Sequence, residues 1–278
     1  MIIKVMAENT SSAKDLGCEH GLSLYIETPK HKILFDTGAG ALFYENAVKM
    51  NINLSAVDLA VISHGHNDHG GGLKTFLGIN SKATVYLHYK AFENHYALRP
   101  NGEKDYIGLD QTLLPNQQFV FCGDRLAIDE EIELFSGIKG TKLLPSGNAT
   151  LLMINGQEFL PDDFGHEQNL IIKENGKTIL IAGCAHSGIV NIVEQFHKDK
   201  GYLPDLVIGG FHLYNQGKKE NENPAVVKEV GEFLVNSNAM YYTCHCTGIE
   251  PYNQLKSLMG EKIAYLSTGD QIEILKIL

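Results

Sequence analysis

The sequence predicts an α/β layered domain in which sheets are covered by helices. Short apolar runs alternate with helix-period segments along the whole chain. Two of those runs, 58–63 and 205–209, are almost continuously apolar, the pattern of strands buried on both faces. Apolar residues make up 44% of the 278, enough for a full core, so intrinsic disorder is excluded. No Pro/Gly/Ser-rich linker, low-complexity tract or internal repeat divides the chain, so 1–278 is expected to form one domain.

In chain order, residues 2–6 read as a strand. Residues 22–27 and Lys32–Phe35 read as two strands around Thr28-Pro29-Lys30-His31, a hairpin. Asp36-Thr37-Gly38-Ala39-Gly40 is a turn, 41–50 a short helix, and 58–63 and 83–88 are further strands. The stretch 90–118 is rich in Asn, Gly, Pro and charge, and reads as an irregular insertion placed to cover a site. Residues 169–173 and 178–182 pair across Glu174-Asn175-Gly176-Lys177, and 189–197 is helical. Residues 224–235 form a helix with Pro in its first turn, where a missing N–H costs little. Met240–Thr243, 263–267 and 271–275 are the last strands, with a helix at 251–259 among them.

Charge and cysteine usage narrow the function. The net charge of −10 argues against non-specific nucleic-acid binding, which needs Lys and Arg against phosphates. No apolar run approaches the roughly 20 residues that cross a bilayer. Residues 1–8 lack the basic and apolar regions of a secretory signal. Five Cys without a C-x-x-C pair fit reduced thiols in a cytoplasm. Twelve His in so acidic a chain then ask for a shared role.

The sharpest feature is Ser63-His64-Gly65-His66-Asn67-Asp68-His69-Gly70-Gly71-Gly72, directly after a buried strand. Imidazole nitrogens and a carboxylate oxygen suit Zn²⁺ and similar divalent ions. In extended backbone His64 and His66 point the same way and can grip one ion. Asp68 and His69 follow a bend and can face a second ion about 3.5–4 Å away. The expected cofactor is therefore one or two divalent ions, Zn first, with Fe or Mn as alternatives.

With Ile33-Leu34-Phe35-Asp36-Thr37-Gly38 before it, this motif resembles the metallo-β-lactamase superfamily, over nearly the whole chain. The resemblance implies an αββα sandwich of two mixed sheets covered by helices, built from two similar halves, with metal at one edge between the sheets. Asp36 matches an Asp that orients the metal-binding loop, and it also reads as the cap of its turn. Later ligands are expected at strand ends of the second half. Those are His186 in Gly183-Cys184-Ala185-His186, His245 in Cys244-His245-Cys246, and His212 in Gly210-Phe211-His212, the last as a metal or catalytic residue. His166, in Asp162-Asp163-Phe164-Gly165-His166, aligns loosely with another ligand position; the alternative is a loop residue oriented by neighbouring acids. Cys184 stands where the superfamily carries the bridging Asp of a Gly-Asp motif, a departure from a fully bridged two-metal site, and His186 is placed to take over that role.

These segments resemble one branch of the superfamily, named for dihydropterin-methyl-ribofuranosylaminobenzene-phosphate synthase. The platform implies a metal-dependent hydrolase of an ester, amide, lactone or phosphodiester on a small, anionic substrate. Asp68 then takes a proton from attacking water or binds a second ion. A pterin-linked transferase using the same metals is the alternative, and a non-catalytic metal- or ligand-binding protein the third reading. Arg99, Lys104 and Tyr106 in the irregular stretch are expected to contact substrate, or else to be ordinary loop residues. Cys244 and Cys246 read as buried strand-end thiols, since no second ligand pair makes a zinc finger. His20, His31, His88, His95 and His197 are expected to be solvated or packing residues.

Overall fold

A computed structural model describes residues 1–274. Two seven-stranded sheets face each other. In the first, the strand order is Gln271–Glu273, Ile2–Ala7, Ser23–Glu27, Lys32–Phe35, Leu59–Val61, Thr84–His88, Phe119–Cys122. In the second it is Arg125–Ala127, Ile132–Ser136, Gln168–Glu174, Lys177–Ile181, Leu206–Gly209, Met240–Thr243, Ile263–Tyr265. Read in these directions, both sheets run through three antiparallel pairings and then three parallel ones. The chain is thus two halves of like topology, with its last described strand returned to the edge of the first sheet.

Alternation within the strands makes the layers. Ile33 and Phe35 join Leu170, Ile172, Ile179 and Ile181 in the apolar seam between the sheets. Leu34 and Ala60 point the other way, onto Phe43 of helix Leu42–Lys49 and Phe76 of helix Leu73–Ile79. On the far side, Leu180, Val207 and Tyr241 pack against helices Ile189–Lys200, Pro224–Asn236 and Ile249–Met259. Strands such as Leu59–Val61 and Leu206–Gly209 are therefore buried on both faces, which is why they carry no polar alternation. The order helix, sheet, sheet, helix is the sandwich expected above. Among the described residues, no helix is long and apolar enough to cross a membrane.

The predicted hairpins pair in the expected register, Ile26 with Ile33 and Ile172 with Ile179. The strand expected at 271–275 is seen as Gln271–Glu273; Leu275 lies outside the described residues. The stretch 90–118 differs from expectation. It contains strands His95–Leu98 and Lys104–Tyr106, which join Leu151–Asn155 and Glu158–Pro161 in a separate four-stranded sheet. Its strands are short and pair with each other as a hairpin, while the strand that completes the sheet beside His95–Leu98 lies some fifty residues on. Strands Phe119–Cys122, Arg125–Ala127 and Ile132–Ser136 were likewise not anticipated.

Candidate metal centre

The motif leaves strand Leu59–Val61 and bends at His64 and Gly65. It then turns at His66 into the single helical turn Asn67–Gly70. The glycines after it permit close approach to the turn at 36–40. A Cβ at Gly71 would stand 2.3 Å from the carbonyl oxygen of Ala39, and one at Gly72 2.3 Å from that of Thr37. Asp36, with φ 58°, sits beneath the loop. Its Oδ1 accepts the Ser63 amide N–H at 2.7 Å, and its Oδ2 accepts the Ser63 hydroxyl at 2.7 Å and His69 Nδ1–H at 2.6 Å. The loop-orienting role implied by resemblance thus has a geometric basis. Since outer partners of this kind typically contribute 10–100-fold in metal affinity, Asp36→Ala is expected to weaken zinc binding by that order, measured by competition with a chromophoric chelator; unchanged affinity would reject the role.

Four imidazoles share one arrangement. Each turns Nδ1–H outward onto an oxygen and Nε2 inward. His64 donates to Ser63 Oγ at 2.9 Å, His69 to Asp36, His186 to Asn148 Oδ1 at 3.1 Å and His245 to Asn9 Oδ1 at 2.7 Å. The inward Nε2 atoms of His64 and His186, and that of His66, are buried without a hydrogen-bond partner. His69 Nε2 and His245 Nε2 stand 3.2 Å apart. Buried lone pairs facing one another are unfavourable unless a cation lies among them. Ring centroids of His64, His66 and His186 are 4.7–5.0 Å apart. Asp68 Oδ2 is 3.4 Å from His245 Nε2 and 3.8 Å from His69 Nε2. The donor set fits divalent ions of the zinc type: one group of His64, His186 and Cys184 with His66 within reach, and a second of Asp68, His69, His245 and Cys184. Cys184 belongs to both groups, its Sγ 3.1 Å from His69 Nε2.

Electrostatics follow burial. Desolvation, then the neighbouring imidazoles, hold His64 and His186 well below the usual histidine range, so both are neutral lone-pair donors. Burial also opposes charge on His69, but Asp36 and Asp68 outweigh it and push His69 up to about 9. Burial pushes the Cys184 thiol up.

Strained backbone and buried carboxylates fix the later ligands. Ala185, His212 and His245 have φ of 56°, 49° and 47°, a region that costs a non-glycine residue of order 1–3 kcal/mol and clusters at functional sites. Glu167 accepts the amide N–H groups of His186 and Ser187 at 2.6 and 2.9 Å. Glu8 does the same for His245 at 2.9 Å and also accepts Tyr265 OH. Neither carboxylate, nor Asn9 or Asn148, is signalled in the sequence, because each meets its histidine only through the fold.

A cavity of about 200 Å³ opens over the centre, lined among others by His66, Asp68, Cys184, His186, His212 and Arg99. His212 packs 4.2 Å from His186, and neither of its ring nitrogens has a hydrogen-bond partner. Arg99 reaches the cavity while its Nε donates to Asp105 at 2.6 Å. Lys104 and Tyr106 are not brought there. Lys104 lies over the Phe159 ring, 4.8 Å from its centroid, and the Tyr106 hydroxyl donates to the Leu109 carbonyl. The strand that carries them is the edge of the small sheet, and its three residues are exposed.

Two histidines expected to be incidental belong to this region. His20 Nε2 is 3.3 Å from Asp68 Oδ2, and burial, then His245, lowers it to about 4. His95 is buried against Asp162 and His166. His31, between Asp58 and Asp129, and His197, in the last turn of its helix, lie elsewhere. His88 is buried with its Nδ1 accepting the Lys90 amide N–H.

A model of the metallo-beta-lactamase superfamily matches residues 16–228. An uncharacterized protein of Methanocaldococcus jannaschii is 30% identical over 266 residues, covering 92% of this chain and 94% of that one. The 7,8-dihydropterin-6-methyl-4-(beta-D-ribofuranosyl)-aminobenzene-5'-phosphate synthase of the same organism is 29% identical over 275 residues, covering 92% and 90%. A crystal structure of a metal-dependent hydrolase of the beta-lactamase superfamily superposes with a TM-score of 0.82 at 26% identity, over 98% of each chain.

Proposed function

The chain belongs to the metallo-beta-lactamase superfamily, and from that membership we propose that it is a metal-dependent hydrolase of a small, anionic ester, lactone or phosphoester. The observation that carries the reading is the set of inward imidazole nitrogens beside Asp68 on the floor of a cavity that Arg99 reaches. His64, His66, Asp68, His69, His186 and His245, with Cys184, would hold the ions; Zn suits the donors best, and Fe or Mn are alternatives. The chemistry such ions supply when bound is Lewis acidity toward a substrate oxygen and a lowered pKa of nearby water. Asp68 orients attacking water and takes up its proton on the carboxylate. His212 in its imidazolium form gives a proton to the leaving oxygen and is reprotonated from solvent, to which Asp68 releases the proton it took. Arg99 anchors the anionic part of the substrate, with Asp105 holding the guanidinium in place. The five free cysteines, four of them buried, support a reducing cytoplasmic setting.

A second reading is a pterin-linked synthase, favoured by the likeness to the Methanocaldococcus jannaschii enzyme over most of both chains. The deciding experiment uses the protein purified with its metals, offered lactones and phosphodiesters in one series and a dihydropterin with an aminobenzene ribosyl phosphate in another. Hydrolysis lost in His66→Ala supports the first reading. Formation of the pterin–arene carbon–carbon bond, without hydrolysis, replaces it with the second. Substrate binding with no turnover in either series rejects both.

Arg99 has its own test. Because its contact is made to the bound substrate before and during reaction, Arg99→Ala is expected to raise KM about tenfold or more, the effect of losing a charge-assisted contact of roughly 1.5–3 kcal/mol. Metal content stays unchanged. Unaltered steady-state kinetics would remove Arg99 from the substrate site.

A further inference from the structure

Cys246 lines the cavity beside Cys184 and takes no part in the chemistry proposed there. Its thiol donates to the Cys184 carbonyl oxygen at 3.5 Å. Cys184 Sγ, Cys246 Sγ and a ring nitrogen of His212 all lie within 4.8 Å of one another. The fold brings these cysteines together across 62 residues. In the second sheet, strand Leu206–Gly209 separates Lys177–Ile181, which leads to Cys184, from Met240–Thr243, which leads to Cys246. Where those strands end, the middle segment is Gly209-Gly210, with no side chain to keep the outer two apart. A Cβ at Gly210 would stand 2.5 Å from Cys246 Sγ. Gly210 N–H donates to the Gly183 carbonyl at 2.8 Å and so holds the segment against the turn that carries Cys184. The other cysteines lie elsewhere: Cys122 and Cys244 are buried in the seam between the sheets, and Cys18 is exposed.

We propose that Cys184 and Cys246 are an oxidation site, a thiol pair that hydroperoxides close into a disulfide. One thiol attacks a peroxide oxygen and becomes a sulfenic acid, releasing water, or an alcohol from an organic hydroperoxide. The other thiol attacks that sulfur, expels water and forms the S–S bond. The peroxide O–O bond takes up the two electrons, and each of its oxygens ends with one of the two thiol hydrogens. Closing the bond takes rotation of both side chains within the cavity of about 200 Å³ that they line. A thiol reductant reverses it, as for the transient disulfides of reducing compartments. Oxidation withdraws Cys184 from both groups of cation ligands. That consequence rests on the ligand role proposed for Cys184, whereas the disulfide itself rests only on the placement of two sulfurs. Conversely, a cation held by Cys184 occupies the sulfur lone pair that would attack, so bound zinc protects the pair.

The test treats the full chain, stripped of metal with a chelator, with hydrogen peroxide, alkylates the thiols that remain and maps the peptides by mass spectrometry. The expected result is a loss of two of the five thiols, with the peptides carrying Cys184 and Cys246 joined within one chain. A phosphine reductant restores both thiols. Less zinc per chain is expected after oxidation than before it, at the same free zinc. Cys246→Ser is expected to form no link and to bind as much zinc as the unaltered chain before peroxide. Sulfinic or sulfonic acid at Cys184 or Cys246 without a link would overturn the proposal, as would a link made only through Cys18. A Cys184–Cys246 link that leaves zinc content unchanged upholds the pair and removes Cys184 from the ligands instead. The peptide map of the unaltered chain decides the matter even where the variant fails to fold.

Discussion

Asp68→Asn is expected to lower kcat by about three orders of magnitude while leaving the fold intact. The substitution keeps the shape of the side chain and removes its charge. Asp68 Oδ2 faces His20 at 3.3 Å, His245 at 3.4 Å and His69 at 3.8 Å, so its carboxylate lies against three imidazoles. Burial opposes its charge, but His69, His245 and His20 outweigh that and hold Asp68 well below the usual carboxylate range. An amide there neither takes a proton nor draws a cation. Loss of several kcal/mol of stabilisation at the reacting centre corresponds to about 10³ in rate. The measurements are steady-state turnover and metal per chain. A loss under tenfold with full metal content would remove Asp68 from both proposed roles.

Chelation is expected to lower the melting temperature by roughly 10 °C, with recovery on adding zinc. Without a cation, the inward Nε2 atoms of His64, His66 and His186 remain buried and unpartnered, and His69 and His245 Nε2 still face each other at 3.2 Å. A ligand that binds only the folded chain stabilises it by about 4 kcal/mol when present at a thousand times its Kd. At about 2–4 °C per kcal/mol for a chain of this size class, that is roughly 8–16 °C. Differential scanning fluorimetry with and without chelator measures it. A shift under about 2 °C would mean that these histidines do not hold an ion in the folded protein.

Legibility in the sequence depended on how far apart partners lie along the chain. His64, His66, Asp68 and His69 lie within six consecutive positions after a strand, so their convergence follows from local geometry alone. His186, His212 and His245 were readable one step less directly: each follows a buried strand, and parallel strands of one sheet end side by side. Asp162 and His95 are 67 residues apart, and Glu8 and His245 237. Neither pair leaves a local trace in the sequence; His95 is buried, as a packing residue should be. His20 is joined to Asp68 in the same way. The small sheet was missed for a related reason: Tyr96 pairs with Leu152, across a gap that reads as loop.

By itself the sequence determined the layered architecture, since strands buried on both faces must be apolar throughout, and it determined the motif, since four ligands within six residues cannot lie far apart. Only the tertiary structure decided which distant side chains turn each imidazole. Asn9, Asn148, Asp36 and Ser63 take the Nδ1–H groups and thereby aim the Nε2 lone pairs inward. It also decided that Arg99, and neither Lys104 nor Tyr106, reaches the cavity. Orientation of a side chain depends on partners brought together by packing, and packing is a property of the whole chain rather than of any stretch of it.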